Sequence, residues 1–477
     1  MTRRKFVRTA AVATAAALMA SKGVFAQGKG EGRPNILFAI ADDWSFGQAG
    51  VYGDRAVKTP NFDRVAREGV LFTNSYCIAP TCSPSRAGIL TGQPPHRLEE
   101  GANLWGHLPA KFPVYPDLLE KAGYRVGFTG KGWGPGQLGD RKRNAAGPGF
   151  KGFGEFLKTV GGDGPFCYWF GSHDPHRPYE PALTAAAGIR REEVTVPPYL
   201  PDTPEVRDDI VAYLAEVQRF DAQLGNLLKL LEESGRAENT MVVVTSDNGM
   251  PFPRAKTNLH DSGTRMPLAI RWPGKIASGK KIDALVSHLD FAPTFLEAVE
   301  LKPTTVMAGK SLLPLFGGDA KGRDRVFLER ERHAEARAGN VGYPCRAVRT
   351  REHLYIRNFH PERWPAGDPD LEKSQGTFSD IDRGPAKEFL LAHRDDPKIA
   401  AYFQMACAKR PAEELYEMAD DPWQMRNRID DPKLEAVKRE VRASLDNWMK
   451  ETADPRASGD TDAYDKYPYY GAGPQRP

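Results

Sequence analysis

Asn35-Ile36-Leu37-Phe38-Ala39-Ile40-Ala41-Asp42-Asp43 opens the folded part of this chain with an apolar run that stops on two acids. A run without polar alternation marks a strand buried on both faces, as in a parallel sheet covered by helices. Tyr124 to Thr129, Pro165 to Phe170 and Met241 to Thr245 repeat the pattern, each ending in polar residues or glycine. Helical stretches lie between them. Tyr115 to Ala122 stops at Gly123, a good C-cap. Glu205 to Glu233 carries Ile210, Leu214, Val217, Phe220, Leu224, Leu227 and Leu231, the stripe of a helix lying on a sheet, and stops near Gly235. Strands alternating with helices predict an α/β fold: a large, mainly parallel sheet sandwiched by helices. Such folds bind ligands at the carboxyl ends of their strands. Asp42-Asp43, Lys131, His173 and Asp247-Asn248 all follow predicted strands.

The texture changes after Gly309-Lys310-Ser311-Leu312-Leu313-Pro314. Arg346 to Arg349 with His353 to Ile356 predicts a hairpin. Glu413 to Met418 predicts a short strand or turn, and Leu434 to Met449 a final helix. The expected division is a main domain over 33–340, a smaller C-terminal α+β subdomain over 341–457 and an extended tail over 458–477. Residues 1–26 read as a leader. Thr2-Arg3-Arg4-Lys5-Phe6-Val7-Arg8 resembles the bacterial twin-arginine export motif, an apolar stretch runs from Thr9 to Ala20, and Val24-Phe25-Ala26 offers a cleavage site. The expectation is a periplasmic or secreted protein, exported folded by the twin-arginine translocase. The 477 residues carry 66 Lys+Arg against 62 Asp+Glu, a net charge of +4 with no basic block beyond the leader, which argues against nucleic acid as a partner. The five cysteines are Cys77, Cys82, Cys167, Cys345 and Cys407; no spacing suggests zinc, and the sequence leaves disulfide pairing and oligomeric state open.

Cys82-Ser83-Pro84-Ser85-Arg86-Ala87-Gly88-Ile89-Leu90-Thr91-Gly92 carries the chemistry. Ser83 is a suitable N-cap and Pro84 a suitable first helical residue, which predicts Cys82 just outside a helix N-terminus. Backbone N–H groups and the positive dipole end favour anions there. Arg86, one turn along, brings a permanent guanidinium to the same place. Asp42-Asp43 and Asp247-Asn248 supply the hard oxygen ligands of a calcium-type site, although such pairs are also common in turns.

The Cys82–Gly92 stretch resembles the formylglycine-dependent sulfatase family of the alkaline phosphatase superfamily. Asp-Asp after the first strand and Ser246-Asp247-Asn248-Gly249 agree with it. The resemblance implies that Cys82 is oxidised to formylglycine by a formylglycine-generating enzyme, in the cytoplasm before export. It also implies that Asp42, Asp43, Asp247, Asn248 and modified Cys82 bind Ca²⁺, and that one hydroxyl of the hydrated aldehyde attacks sulfur. Lys131 matches the family's strand-end lysine and Lys256 its second sulfate-facing lysine, both stabilising charge with Arg86. His173, in Gly171-Ser172-His173-Asp174-Pro175-His176-Arg177, matches the histidine near the leaving group. His176, Trp133 and Arg346 are expected to touch substrate.

One position departs from the pattern. Where many sulfatases carry Lys-x-His, this chain has Lys131-Gly132-Trp133, so the base that regenerates the aldehyde is not the usual one; His96 and His107 are the candidates, and Trp133 a hydrophobic or sugar-stacking wall. Within the family, Thr245 to Pro253, Thr257-Asn258-Leu259, Tyr343 to Val348 and Glu414 to Glu417 resemble the sulfamidase (N-sulfoglucosamine sulfohydrolase) branch. Glu99 to Gly106 and Gly132 to Gly136 do not follow it. The implied activity is removal of sulfate from a sulfated saccharide, N-sulfoglucosamine first. The alternatives are an O-sulfatase on sulfated glycans or aryl sulfates, a phosphate- or phosphonate-ester hydrolase, and a non-catalytic binder of sulfated glycans.

Overall fold

A computed structural model describes residues 32–162, 164–317 and 322–471; the expected leader, 1–26, lies outside them. The large sheet contains β1 (Asn35–Ala41), β2 (Val70–Tyr76), β3 (Arg125–Gly130), β4 (Phe166–Gly171), β5 (Thr240–Ser246), β6 (Arg265–Arg271), β7 (Lys280–Ile282) and β8 (Val286–Ser287). Its order is β3-β4-β1-β5-β6-β2-β7, with β8 beside β2. β1 runs parallel to both β4 and β5, and β6 runs against β5 and β2. The four predicted strands therefore lie side by side, from β3 at one edge to β5 in the middle of the sheet.

The continuous apolar run of β1 has a direct cause. Leu37, Ala39 and Ala41 face the Pro204–Glu233 helix, through Leu214, Val217 and Phe220. Ile36, Phe38 and Ile40 face the opposite layer, which includes the Phe291–Ala298 helix. Phe38 alone packs on Trp169, Phe291 and Phe295 at ring-centroid distances of 4.8, 5.5 and 5.7 Å. Truncating such a ring to alanine costs about 3–5 kcal/mol. The long helix starts where its sequence says it should. Thr203 caps it by accepting from the Val206 N–H, Pro204 follows, and Gly235 takes a φ of +71° beyond its end.

β9 (Arg325–Arg330), β10 (Cys345–Thr350), β11 (His353–Asn358) and β12 (Glu413–Glu417) form a second, wholly antiparallel sheet in the order β12-β11-β10-β9. It begins at Arg325, ahead of the residue 341 suggested by texture. One face, with Leu328, Ala347 and Ile356, packs on Tyr76, Leu259 and Leu285 of the large domain. The other, with Val348, Tyr355 and Leu415, is covered by Val441, Leu445 and Met449 of the Glu435–Glu451 helix. The segment expected as an extended tail is docked through residue 471. The Tyr464 hydroxyl donates to the His96 carbonyl (2.6 Å), the Tyr470 N–H to that of Trp105 (2.9 Å), and Arg332 Nη2 to those of Tyr467 and Pro468 (2.9 and 2.8 Å). All five cysteines are buried and free of disulfides. No helix among the described residues is long and apolar enough to cross a membrane.

Candidate active site

The strand register assembles the site. Ile40 pairs with Gly171 and Ala41 with Ser246, so the residues after β1 meet those after β4 and β5. Backbone bonds lock the junction: Asp42 N–H donates to the Asp174 carbonyl (2.9 Å) and Asp247 N–H to that of Ala41 (3.2 Å). Asp43 takes a φ of +75°, a left-handed conformation that aspartate tolerates better than most residues. Its N–H reaches Asp247 Oδ1 (3.1 Å), and Asn248 Nδ2 reaches Asp43 Oδ1 (2.5 Å). At the next strand over, Lys131 N–H donates to the Gly171 carbonyl (2.8 Å), and a Cβ on Gly171 would lie 1.7 Å from the Lys131 carbonyl oxygen. Only glycine permits that approach.

The Cys82–Thr91 helix points its N-terminus at this junction. Thr81, not Ser83, is the N-cap residue, and Cys82 is the first helical residue rather than the last one outside. Ser83 instead donates through its hydroxyl to the Pro135 carbonyl, and Ser85 Oγ donates to the carbonyl of Asp247 (2.6 Å). The helix therefore starts two residues earlier than capping propensity suggested, and Ser83 is committed to the neighbouring loop. Cys82 Sγ lies 3.4 Å from Asp42 Oδ1. Ligand atoms of Asp42, Asp43, Cys82 and Asp247 all fall within 4.8 Å of one another, and all four residues are buried.

Three cations close the group. Lys131 Nζ lies 2.6 Å from Asp42 Oδ2, Lys256 Nζ 2.8 Å from Asp43 Oδ2, and Arg86 Nε 2.7 Å from Asp247 Oδ2. Arg86 Nη1 also donates to the carbonyls of Lys131 and Gly132 (2.6 and 3.0 Å). Its Nη2, 3.8 Å from Asp42 Oδ1, has no hydrogen-bond partner. Burial opposes charge on all three cations, yet the surrounding carboxylates more than offset it and raise each above its ordinary value. The loop that carries Lys256 is tight: Arg254 and Thr257 have φ of +63° and +69°.

The acids divide. Burial works against the Asp42 carboxylate, but Lys131, His176 and Arg86 hold it well below its ordinary value. Asp43 is pushed up to about 6 by burial, with Asp42 and Asp247 adding to what Lys256 and His176 relieve. Burial and Asp42 keep the Cys82 thiol far above its normal range, so as a thiol it is no nucleophile at neutral pH. The donor set suits a hard divalent cation: three carboxylates converge, and the buried Asn248 Oδ1 has no hydrogen-bond partner.

His173 stands exposed at the rim, its imidazole held below the ordinary value by partial burial and by Lys131 and Arg86, against Asp42 and Asp174. His176 places Nε2 3.8 Å from Asp43 Oδ2. Asp174 fixes the turn between them by pairing with Arg219 (2.5 Å), and Arg177 pairs with Asp209 through two bonds (2.8 and 2.7 Å). A cleft of about 560 Å³ beside the ends of β3 and β4 shares His173 and Asp174 with the site but is not lined by Cys82.

Four expected residues lie elsewhere. Arg346 is fully buried on β10, paired with Asp454 and Glu331 (2.6 and 2.7 Å), so its charge is spent inside the second subdomain. Trp133 is 5% exposed, its indole packed in the core against Gly136, and lines no sugar-stacking wall. His96 pairs with Glu329 (2.5 Å) and His107 with Glu100 (2.6 Å); neither joins the Cys82 group. Two residues missed by sequence reading do approach it, both beyond β9. Asp382 Oδ2 lies 3.2 Å from Lys256 Nζ. Buried His333 holds Nδ1 2.5 Å from Thr81 Oγ1, beside Cys82, and burial pushes its imidazole down to about 3, leaving it neutral. The sequence signal was slight: two acids, Asp380 and Asp382, just before Gly384-Pro385 and a helix start.

Comparison with known proteins agrees with this geometry. The sulfatase family model matches residues 34–301, and the model described as N-sulphoglucosamine sulphohydrolase, C-terminal, matches 254–373. An ulvan-active sulfatase of Formosa agariphila is 30% identical, covering 88% of this chain and 76% of that protein. Human N-sulphoglucosamine sulphohydrolase is 31% identical, covering 88% of this chain and 91% of its own. A protein solved in complex with its substrate D-glucosamine-2-N,6-O-disulfate shares the fold, with a TM-score of 0.64 at 20% identity over 90% of this chain and 100% of the other. With the family model covering more than half its length and a relative 31% identical over 88% of it, the chain belongs to the sulfatase family.

Proposed function

We propose that this protein hydrolyses a sulfate group from a sulfated carbohydrate, N-sulfoglucosamine being the first candidate. The observation that carries the reading is Cys82, set at a helix N-terminus within one group of Asp42, Asp43 and Asp247 and faced by Arg86, Lys131 and Lys256. Asp42, Asp43, Asp247 and Asn248 would hold Ca²⁺, which when bound neutralises sulfate oxygens. Formylglycine made from Cys82 would supply a hydrated aldehyde as nucleophile in place of an inert thiol.

The chain's own residues bind and orient the tetrahedral anion. Arg86 Nη2 is the donor left free by the guanidinium's other bonds, and Lys131 and Lys256 flank the group from two sides. His173, on the rim, donates a proton to the departing nitrogen or oxygen, and His176 steadies that edge of the pocket. The N-sulfated sugar is preferred because the chain is similar to human N-sulphoglucosamine sulphohydrolase over nearly its whole length and matches the C-terminal model of that name. An O-sulfatase is the second reading. It is favoured by the Gly132–Gly136 loop, which departs from the sulfamidase pattern at Trp133, and by the similarity to an ulvan-active sulfatase.

Maturation would require a formylglycine-generating enzyme, and the leader would direct the folded protein through the twin-arginine translocase to the periplasm or beyond. The deciding experiment is sulfate release from N-sulfoglucosamine beside glucosamine 6-sulfate, using protein whose Cys82 aldehyde is verified by peptide mass spectrometry. Release from the N-sulfated sugar alone supports the first reading; release from the 6-O-sulfated sugar supports the second. Release from neither by fully matured protein overturns the first reading and removes glucosamine 6-sulfate from the second.

A further inference from the structure

Asp382 is an anion placed where the substrate is expected to be an anion. The side chain is 11% exposed, and Oδ2 lies 3.2 Å from Lys256 Nζ but off the hydrogen-bonding direction, so that this buried oxygen accepts no hydrogen bond. Burial alone would neutralise it; Lys256 above all, with His176, keeps it ionised, well below its ordinary value. An ionised carboxylate only accepts hydrogen bonds, and it repels sulfate oxygens. Beside a sulfate pocket it is useful only if it faces a different part of the substrate, one bearing a donor.

The surroundings hold Asp382 in place from both sides. Before it, Asp380 Oδ2 takes Arg330 and Arg337 (2.6 and 2.5 Å), and Asp380 Oδ1 accepts from the Ala334 N–H (3.1 Å). The Lys387 ammonium donates to the carbonyls of Gln375, Phe378 and Ile381 at 2.7, 3.1 and 2.8 Å. After it, a Cβ on Gly384 would lie 2.4 Å from Arg177 Cζ, and the Ala386 N–H donates to Asp209 Oδ2 (3.0 Å), the carboxylate that holds Arg177. The loop is thus tied both to the second sheet and to the histidine-bearing turn after β4. Supports of this kind fix a side chain for recognition.

We propose that Asp382 is a specificity-determining residue: it accepts a hydrogen bond from a free hydroxyl or N–H on the sugar position next to the sulfated one, and it rejects sugars sulfated at that neighbouring position. The proposal rests on the sulfated-carbohydrate reading of the same site. Its test uses the full chain with Cys82→Ala, loaded with Ca²⁺, so that binding is read without turnover. Calorimetry compares N-sulfoglucosamine, its 3-O-sulfated counterpart and inorganic sulfate. The parent is expected to bind the singly sulfated sugar on the order of 100-fold more tightly than the doubly sulfated one. Adding Asp382→Asn should narrow that ratio to less than about tenfold without weakening inorganic sulfate binding. Equal affinities in the parent, or a ratio untouched by Asp382→Asn, overturns the assignment. A parallel loss of inorganic sulfate binding in the variant also overturns it, because Asp382 would then act only by placing Lys256. Sulfate release by matured wild-type protein reports separately on the substrate, so the two readings can fail independently.

Discussion

Replacing Arg86 by lysine keeps the charge and removes the fork, and the structure says what that costs. The guanidinium is fully buried; Nε bonds Asp247 Oδ2 at 2.7 Å, and Nη1 bonds the Lys131 and Gly132 carbonyls at 2.6 and 3.0 Å. The charge-assisted bond to Asp247 is worth about 1.5–3 kcal/mol, and the Gly132 carbonyl, stranded in the interior, costs about 1–3 kcal/mol; the Lys131 carbonyl keeps its bond from Trp169 Nε1 (3.0 Å). An ammonium can restore one of the three partners. The net loss is about 1–3 kcal/mol, the part of these two interactions that a lysine cannot recover. Against a typical stability of about 5–15 kcal/mol the variant should remain folded but unfold at clearly lower urea. Activity should fall further than stability explains. Nη2 is the donor left free for the substrate anion, and losing one such donor costs about 10²–10³ in kcat. The assay pairs urea denaturation with sulfate release at a temperature where Arg86→Lys is folded by circular dichroism. An unchanged urea midpoint together with kcat within about tenfold of wild type would refute the reasoning, because the fork would then serve neither the fold nor the anion.

Cys82→Ala should abolish sulfate release while shifting the melting temperature by only a few degrees, since Sγ makes one polar contact, 3.4 Å from Asp42 Oδ1; differential scanning calorimetry beside the activity assay checks both. Ca²⁺ added to chelated protein at about 100 times its Kd should stabilise it by about 2.7 kcal/mol. That affinity should weaken below the value of about 6 at which the Asp43 carboxyl takes a proton, because the proton must leave before the carboxylate holds a cation, and titration calorimetry at acid and neutral pH reads the difference. His173, depressed below its ordinary value, loses its acid proton early, so the rate it supports should fall as pH rises through that lowered value; His173→Gln should flatten this limb of the kcat profile.

What the sequence made legible was whatever depends on short range. β1 declares itself because neighbours on both faces demand apolar residues, and Asp42-Asp43, Asp247-Asn248 and His173 follow from strand ends that such runs define. β6 was illegible for a local reason as well. Pro267 sits inside it, which argues against a strand, yet both ladders tolerate it: the β2 pairing shifts register between Phe72 and Ser75 beside Pro267, and its free carbonyl accepts from Thr245 Oγ1 (2.7 Å).

The other differences come from distance along the chain. Arg346 looked like a residue reaching for an anion, but its anions are Glu331 and Asp454, brought to it by the β9–β10 pairing and by the segment after the last helix. Asp382 and His333 are the converse: unremarkable polar residues until the second sheet, docking through Leu328 and Ala347 on Tyr76 and Leu259, carries them to Lys256 and Thr81. Asp42, Asp43, Lys131 and Asp247 therefore sit at strand ends, whose positions follow from local patterning. Asp382 and His333 arrive from a second subdomain, where only tertiary packing decides which side chain reaches Lys256 and Thr81. A motif can reveal the reaction long before it reveals the substrate, and in this chain the division falls between Lys256 and its partner Asp382.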